Sequence, residues 1–68
     1  MALCSECLTQ RVDRGRHVYE ALESAKNYIE KGDYYNAKQD YNFIYHLLVG
    51  RNRCKSCIEE IKSKIDAL

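Results

Sequence analysis

The amino-acid sequence predicts an all-α fold, an antiparallel helical hairpin followed by a third helix, on three observations. The chain of 68 residues contains no proline and only three glycines. Its many Ala, Leu, Ile, Lys and Glu residues favour helix. Apolar side chains recur at steps of three and four residues along most of its length. We therefore predict one small helical domain comprising residues 1–68.

The first predicted helix covers residues 5–31. Its apolar or small positions are Leu8, Val12, Gly15, Tyr19, Leu22, Ala25 and Ile29. This spacing places them on one face of a helix. The helix is predicted to end at Lys31 and Gly32, because glycine adopts the left-handed conformation that closes many helices. Asp33 is then placed to cap the next helix.

The second predicted helix covers residues 34–49, and the third covers residues 54–67. The inner face of the second carries Ala37, Tyr41, Ile44, Leu47 and Leu48, and the stripe of the third is Cys54, Ile58, Ile61, Ile65 and Leu68. Gly50 is predicted to separate the two helices. The alternative is a hairpin of two long helices, in which the second arm runs unbroken from Tyr34 to the end. Its last stripe would then be buried in a second copy of the chain, giving a dimeric bundle.

Two Cys-x-x-Cys pairs, Cys4/Cys7 and Cys54/Cys57, lie near opposite ends of the chain. Cys7 precedes Gly32 by 25 residues and Cys57 follows it by 25, so a chain that doubles back at Gly32 brings the pairs together. Residues three apart share a helix face, so each pair presents two thiolates in one direction. Four sulfur ligands suit Zn²⁺ and leave no open coordination position. We predict one structural zinc ion per chain, held by all four cysteines.

Two alternatives to zinc remain open: a pair of disulfides, and reduced or redox-active thiols. Antiparallel helices would pair Cys4 with Cys57 and Cys7 with Cys54. That pattern resembles the twin-cysteine helical hairpins of the mitochondrial intermembrane space, which have wider cysteine spacing within each helix. The sequence lacks the features of a secretory signal, so we expect a cytoplasmic protein. In a reducing cytosol, paired Cys-x-x-Cys motifs bind metal more often than they form disulfides.

Basic and aromatic residues supply the other candidate sites. The candidate phosphate-binding set near the cysteines is Arg11, Arg14, Arg16, Arg51, Arg53 and Lys55. The alternative role for these cations is to offset the 2− formal charge of a four-thiolate zinc centre. The candidate protein interface is Tyr34, Tyr35, Tyr45, Ile58, Ile61 and Ile65. It is predicted because the aromatic surface exceeds what one partner helix covers.

The residues around the predicted turn resemble a single tetratricopeptide repeat. They are Ala25, Tyr28, Gly32, Asp33, Tyr34, Ala37 and Tyr41. The resemblance implies a helix-turn-helix in which small residues meet tyrosines, and in that family the function is peptide or protein binding. Only one repeat is visible, whereas stacked repeats are needed to bury the faces of such units.

The sequence therefore favours a small, non-enzymatic, zinc-binding regulatory or adaptor protein. It would bind another protein or form a homodimer through its Tyr/Ile-rich helical faces. The alternative is a nucleic-acid-binding regulator that uses the arginine cluster. No catalytic residue is predicted, because the sequence offers no triad spacing and no open metal position. We expect no membrane association and no small-molecule substrate.

Overall fold

The computed structural model describes residues 3–12, 15–51 and 54–68. Within these residues the chain forms four helices: α1 (Ser5–Leu8), α2 (Val18–Glu30), α3 (Tyr34–Gly50) and α4 (Lys55–Asp66). An isolated antiparallel bridge, between Arg11 and His17, is the only β-type pairing in that part of the chain. Helix α3 packs against α2 on one side and α4 on the other. The predicted all-α fold, a hairpin with a further helix, is confirmed.

The turn between α2 and α3 forms at the predicted Gly32. This residue has a φ of +79°, in the left-handed region. Its N–H donates to the carbonyl of Ile29 at 3.0 Å, and the N–H of Asp33 donates to the carbonyl of Tyr28 at 2.8 Å. These two bonds define a Schellman motif, which satisfies the last carbonyls of α2. The Asp33 side chain then accepts a hydrogen bond from the N–H of Asn36, which caps α3 as predicted.

The prediction of one continuous helix over residues 5–31 is wrong, because the helix is interrupted between α1 and α2. The N–H of Val18 donates to the carbonyl of Gln10 at 2.8 Å, so the chain reverses direction there. Gly15 has a φ of +78°, which a right-handed helix does not contain. A reciprocal capping box between His17 and Glu20 then starts α2.

This interruption changes which residues of α2 face the core. The predicted stripe includes Tyr19, yet Tyr19 is 50 % exposed. Val18 and Ala21 are fully buried instead. Ala25 remains on the inner face as predicted. The chain reverses direction before α2, so the core-facing positions of α2 do not continue the helical periodicity of α1. One helical stripe therefore cannot describe both segments.

The core is built from all four helices. Its buried apolar residues are Leu3, Cys7, Val18, Ala21, Ala25, Ala37, Tyr41, Ile44, Leu48, Cys57 and Ile61. The predicted inner face of α3 is correct for Ala37, Tyr41, Ile44 and Leu48, whereas Leu47 is only partly buried. Leu3 and Cys7 belong to this core because the segment containing α1 folds back against the other helices. The two cysteine motifs thereby contribute to packing as well as to the candidate site.

The alternative of two long helices is wrong. Helix α3 ends at Gly50, and Arg51 forms its C-terminal cap. Cys54 has non-helical backbone angles and precedes the first turn of α4. Helix α4 packs back onto α3, so its buried Ile61 contacts the core of the same chain. No second copy is needed to cover that residue.

A charged residue lies within the core. Asp40 of α3 is 6 % exposed, and its Oδ1 accepts a hydrogen bond from Arg16 Nη2 at 3.0 Å. Its other carboxylate oxygen has no hydrogen-bond partner among the residues that the structure describes. The ion pair fastens the segment before α2 to the middle of α3. This pair was not predicted from the sequence, because Asp40 lies outside any motif.

Candidate metal centre

The two Cys-x-x-Cys motifs occupy equivalent positions at the starts of two helices. Cys4 is the N-cap of α1 and Cys54 is the N-cap of α4. Cys7 and Cys57 are the third residues of those helices. In each motif the first cysteine is exposed and the second is buried. Each pair therefore presents one sulfur to the core and one toward solvent.

Three of the four predicted ligands come together. The sulfur atoms of Cys4, Cys7 and Cys57 all lie within 4.8 Å of one another. Cys57 Sγ and Cys4 Sγ are 3.8 Å apart. Thiolates held tetrahedrally at ~2.3 Å from Zn²⁺ are separated by ~3.8 Å, the edge of that tetrahedron. The cluster therefore has dimensions that could hold a metal ion of this size.

Cys54 lies beside the cluster but outside the group of three. Its Sγ is 3.1 Å from the Oγ of Ser56. Ser56 is the second residue of α4, so the exposed cysteine and this hydroxyl share the first turn. The predicted four-cysteine set is thus present as three clustered residues and one neighbour.

The pKa shifts divide the cysteines into two kinds. Burial raises the pKa of Cys7 to about 12, and burial is also the main cause that raises the pKa of Cys57. Hydrogen bonds from Cys7 lower the pKa of Cys4. The hydrogen bond with Ser56 is the main cause that lowers the pKa of Cys54 to about 7. The exposed member of each motif is therefore the more readily ionised thiol, and a bound cation would have to displace protons from the buried ones.

The described arginines of the candidate phosphate-binding set make contacts within the chain. Arg11 Nη1 donates to the carbonyl of Gly15 at 2.7 Å, and Arg51 Nη1 donates to Gln10 Oε1 at 2.7 Å. Arg16 pairs with Asp40 as described above. Arg14 and Arg53 lie outside the described residues, and Lys55 is exposed at the start of α4. These contacts stabilise the segment before α2 and its junction with the end of α3.

The candidate interface residues divide between surface and core. Tyr34 and Tyr35 are 55 % and 73 % exposed, and Tyr45, Ile58 and Ile65 are partly buried. The assignment of Ile61 to an interface is corrected, because this residue is completely buried in the monomer. Phe43 and Val49 of α3, which the predicted set omitted, are 48 % and 47 % exposed. A search for apolar residues on the outer face of α3 would have found both.

No protein-family model matches this chain, and neither a curated protein nor a solved structure matches it. None of the helices in the described ranges is long and apolar enough to cross a membrane. The fold and the site define a small all-helical protein with a cysteine group that could bind a metal ion.

Proposed function

We propose that this protein is a non-enzymatic, zinc-stabilised regulatory or adaptor protein that acts through protein–protein contacts. The observation that carries the metal assignment is the convergence of Cys4, Cys7 and Cys57 from motifs near opposite ends of the chain. Zinc is the metal that an all-sulfur, tetrahedral set favours in proteins. With Cys54 as the fourth ligand the ion is closed to substrate, which assigns it a structural role.

A metal bound between α1 and α4 would fasten the two ends of the chain to each other. A core of 68 residues is small, and domains of this size commonly depend on a metal, disulfides or oligomerisation. Because the ligands come together only in the folded chain, binding free energy becomes folding free energy. We therefore assign the cysteine site to stability and the recognition role to the helical surface.

The test of the metal assignment is zinc content measured together with thiol accessibility. We expect one zinc per chain and four thiols protected from alkylation until a chelator is added. Protection of only three thiols, with Cys54 reactive, would show that the site is open at its fourth position. Absence of bound metal together with absence of free thiols would establish disulfides and overturn the proposal. Thr9→Ser, a substitution at an exposed position next to α1, serves as a control because it retains all four cysteines.

The protein-binding role is supported by the apolar side chains on the outer face of α3. Tyr35, Phe43 and Val49 are each about half exposed or more. Tyr34 extends this surface at the hairpin tip, where it is 55 % exposed. Large apolar side chains gathered on one surface are typical of protein contact sites. The tetratricopeptide-like turn supports the same class of function by resemblance alone.

The test of this role compares a surface variant with a matched control. The surface variant carries Tyr35→Ser and Phe43→Ser, and the control carries Glu59→Ser and Lys62→Ser on the exposed side of α4. Sedimentation of the zinc-loaded chain measures self-association, and affinity capture from its native cells measures other partners. We expect the α3 variant to lose the homodimer or the captured partner while the control retains it. Equal behaviour of the two variants would contradict the proposal.

A further inference from the structure

A groove that includes none of the cysteines lies between α2 and the end of α4. Its volume is about 360 Å³, and its lining residues are Tyr19, Leu22, Glu23, Lys26, Tyr41 and Lys64. Small-molecule sites in proteins typically occupy roughly 300–1,000 Å³. The groove combines apolar walls with a few polar groups, as such sites do. Nothing in the metal site or in the α3 surface uses it.

Tyr41 of α3 contributes to the lining of the groove. Tyr41 is 5 % exposed, and its ring belongs to the core. Its hydroxyl makes no hydrogen bond to any residue of the described ranges, and because it is not among the buried unpartnered atoms it retains some access to solvent. Burial raises the pKa of Tyr41, so the hydroxyl keeps its proton and remains a donor. A ligand carboxylate in the groove would accept a hydrogen bond from this hydroxyl.

The charges that line the groove favour an anion. Lys26 and Lys64 contribute two ammonium groups, and Glu23 contributes one carboxylate. Neither lysine forms an ion pair with another described residue. The lining therefore has one positive charge in excess, which matches a single negative charge on a ligand. Glu23 disfavours a second negative charge in the same space.

The walls of the groove favour an apolar body attached to that anion. Leu22 is half-buried, and Tyr19 exposes 50 % of its surface. The Tyr19 ring is held by stacking on His17, with ring centroids 5.1 Å apart. A side chain held in this way loses little conformational freedom when a ligand covers it.

We propose that this groove binds a small amphipathic monocarboxylate. The carboxylate accepts the hydrogen bond of the Tyr41 hydroxyl and faces Lys26 and Lys64. The apolar part of the ligand covers Tyr19 and Leu22. A free aryl or alkyl carboxylate and the C-terminus of a peptide ending in an apolar residue share this chemistry.

The test is a titration of the full zinc-loaded chain, followed by NMR, with phenylacetate and its neutral counterpart phenylacetamide. Ligands of this size bind with dissociation constants on the order of 1 mM. We expect saturable shifts at Tyr41 and Lys64 with phenylacetate, and at least ~10-fold weaker binding of the amide, since a charge-assisted hydrogen bond is lost. N-acetylphenylalanine, which has the carboxylate and side chain of a peptide C-terminus, is titrated as a second ligand. Binding tighter than that of phenylacetate identifies a peptide C-terminus as the ligand, and weaker binding identifies a free carboxylate.

Two variants test the assigned groups. Tyr41→Phe retains the buried ring and removes only the hydroxyl, and Lys64→Gln removes one ammonium group. Each is expected to weaken phenylacetate binding by roughly 5–10-fold. Lys62→Gln, on an exposed position of α4 outside the groove, should leave binding unchanged. Equal affinity for acid and amide, no effect of either groove variant, or no saturable shift overturns the proposal, provided that circular dichroism shows the variants to be folded.

Discussion

The sulfur atoms of Cys4 and Cys57 lie 3.8 Å apart although 53 residues separate them in sequence. The backbone N–H of Cys4 also donates to the sulfur of Cys57 at 3.4 Å. The start of the described chain is thus held against the first turn of α4. A metal ion placed between these sulfurs would strengthen a contact that the polypeptide already makes.

The affinity for zinc should fall steeply as pH decreases. The pKa of Cys7 is raised to about 12 and that of Cys57 is raised as well, so near neutral pH both buried thiols carry protons. Zinc binding must release at least these two protons, and the affinity then changes by roughly 100-fold per pH unit. Competition with a chelator at pH 6.5, 7 and 7.5 measures this slope. A slope of less than one proton would show that the buried thiols are not ligands.

The stability that the Cys7 thiol contributes to the metal-free protein should be lost at alkaline pH. The folded state raises the pKa of Cys7 from 9.0 to about 12, so it holds this proton more tightly than the unfolded chain does. The resulting stabilisation is complete below pH 9 and is lost as pH rises from there toward 12. In the zinc-loaded protein Cys7 is already a thiolate, so this loss should disappear. Urea unfolding at pH 8 and 10 measures the difference.

The control for the alkaline effect is Cys7→Ser in the metal-free state. This variant removes the titrating thiol and should flatten the pH dependence between pH 8 and 10. Tyrosine and lysine side chains titrate in the same range, but they are present in both proteins. Parallel pH profiles of the variant and the parent protein would assign the alkaline loss to those other groups.

The sequence was sufficient for the features that depend on local chemistry or on simple length. Gly32 and Asp33 form the predicted turn because glycine readily adopts the left-handed conformation and aspartate is a preferred N-cap residue. Three of the four cysteines come together as predicted, although not through two straight arms, because the chain reverses before α2 and α4 packs back onto α3. The break before α2 was missed because Leu8 and Val12 continue a helical spacing by coincidence, and because histidine is not among the residues whose spacing before a glutamate predicts a capping box. The burial of Asp40 could not be predicted, because it depends on an ion pair with Arg16, which lies 24 positions away in the sequence.

The ion pair between Arg16 and Asp40 should respond unequally to loss of its two members. Asp40 is nearly buried, whereas the Arg16 side chain is 30 % exposed and can reach water. Arg16→Gln leaves a charged carboxylate without its cation, which we expect to cost about 2 kcal/mol of unfolding free energy. Asp40→Asn removes that charge and keeps the shape, so it should cost less. Urea unfolding of both variants checks the order, and a larger loss for Asp40→Asn would contradict it.

The left-handed conformation of Gly32 should make its replacement by alanine destabilising. A Cβ at Gly32 would meet nothing within 4 Å, so the cost is backbone strain alone. We expect Gly32→Ala to lower the unfolding free energy by about 1–2 kcal/mol. Gly50→Ala is the matched control, because Gly50 also has open space but lies in the helix α3. That change should be neutral or stabilise by up to ~1 kcal/mol, and equal effects at both positions would refute this account.

The contrast between Ile61 and Ile65 separates core packing from surface recognition on α4. Ile61 is completely buried, and Ile65 is only partly buried. Truncation of a buried isoleucine to alanine costs about 2–5 kcal/mol, so Ile61→Ala should strongly destabilise the isolated monomer. Ile65→Ala should cost less because part of its surface already contacts water. Urea unfolding at low protein concentration measures both losses, and equal losses would mean that Ile65 is buried in solution by a further contact.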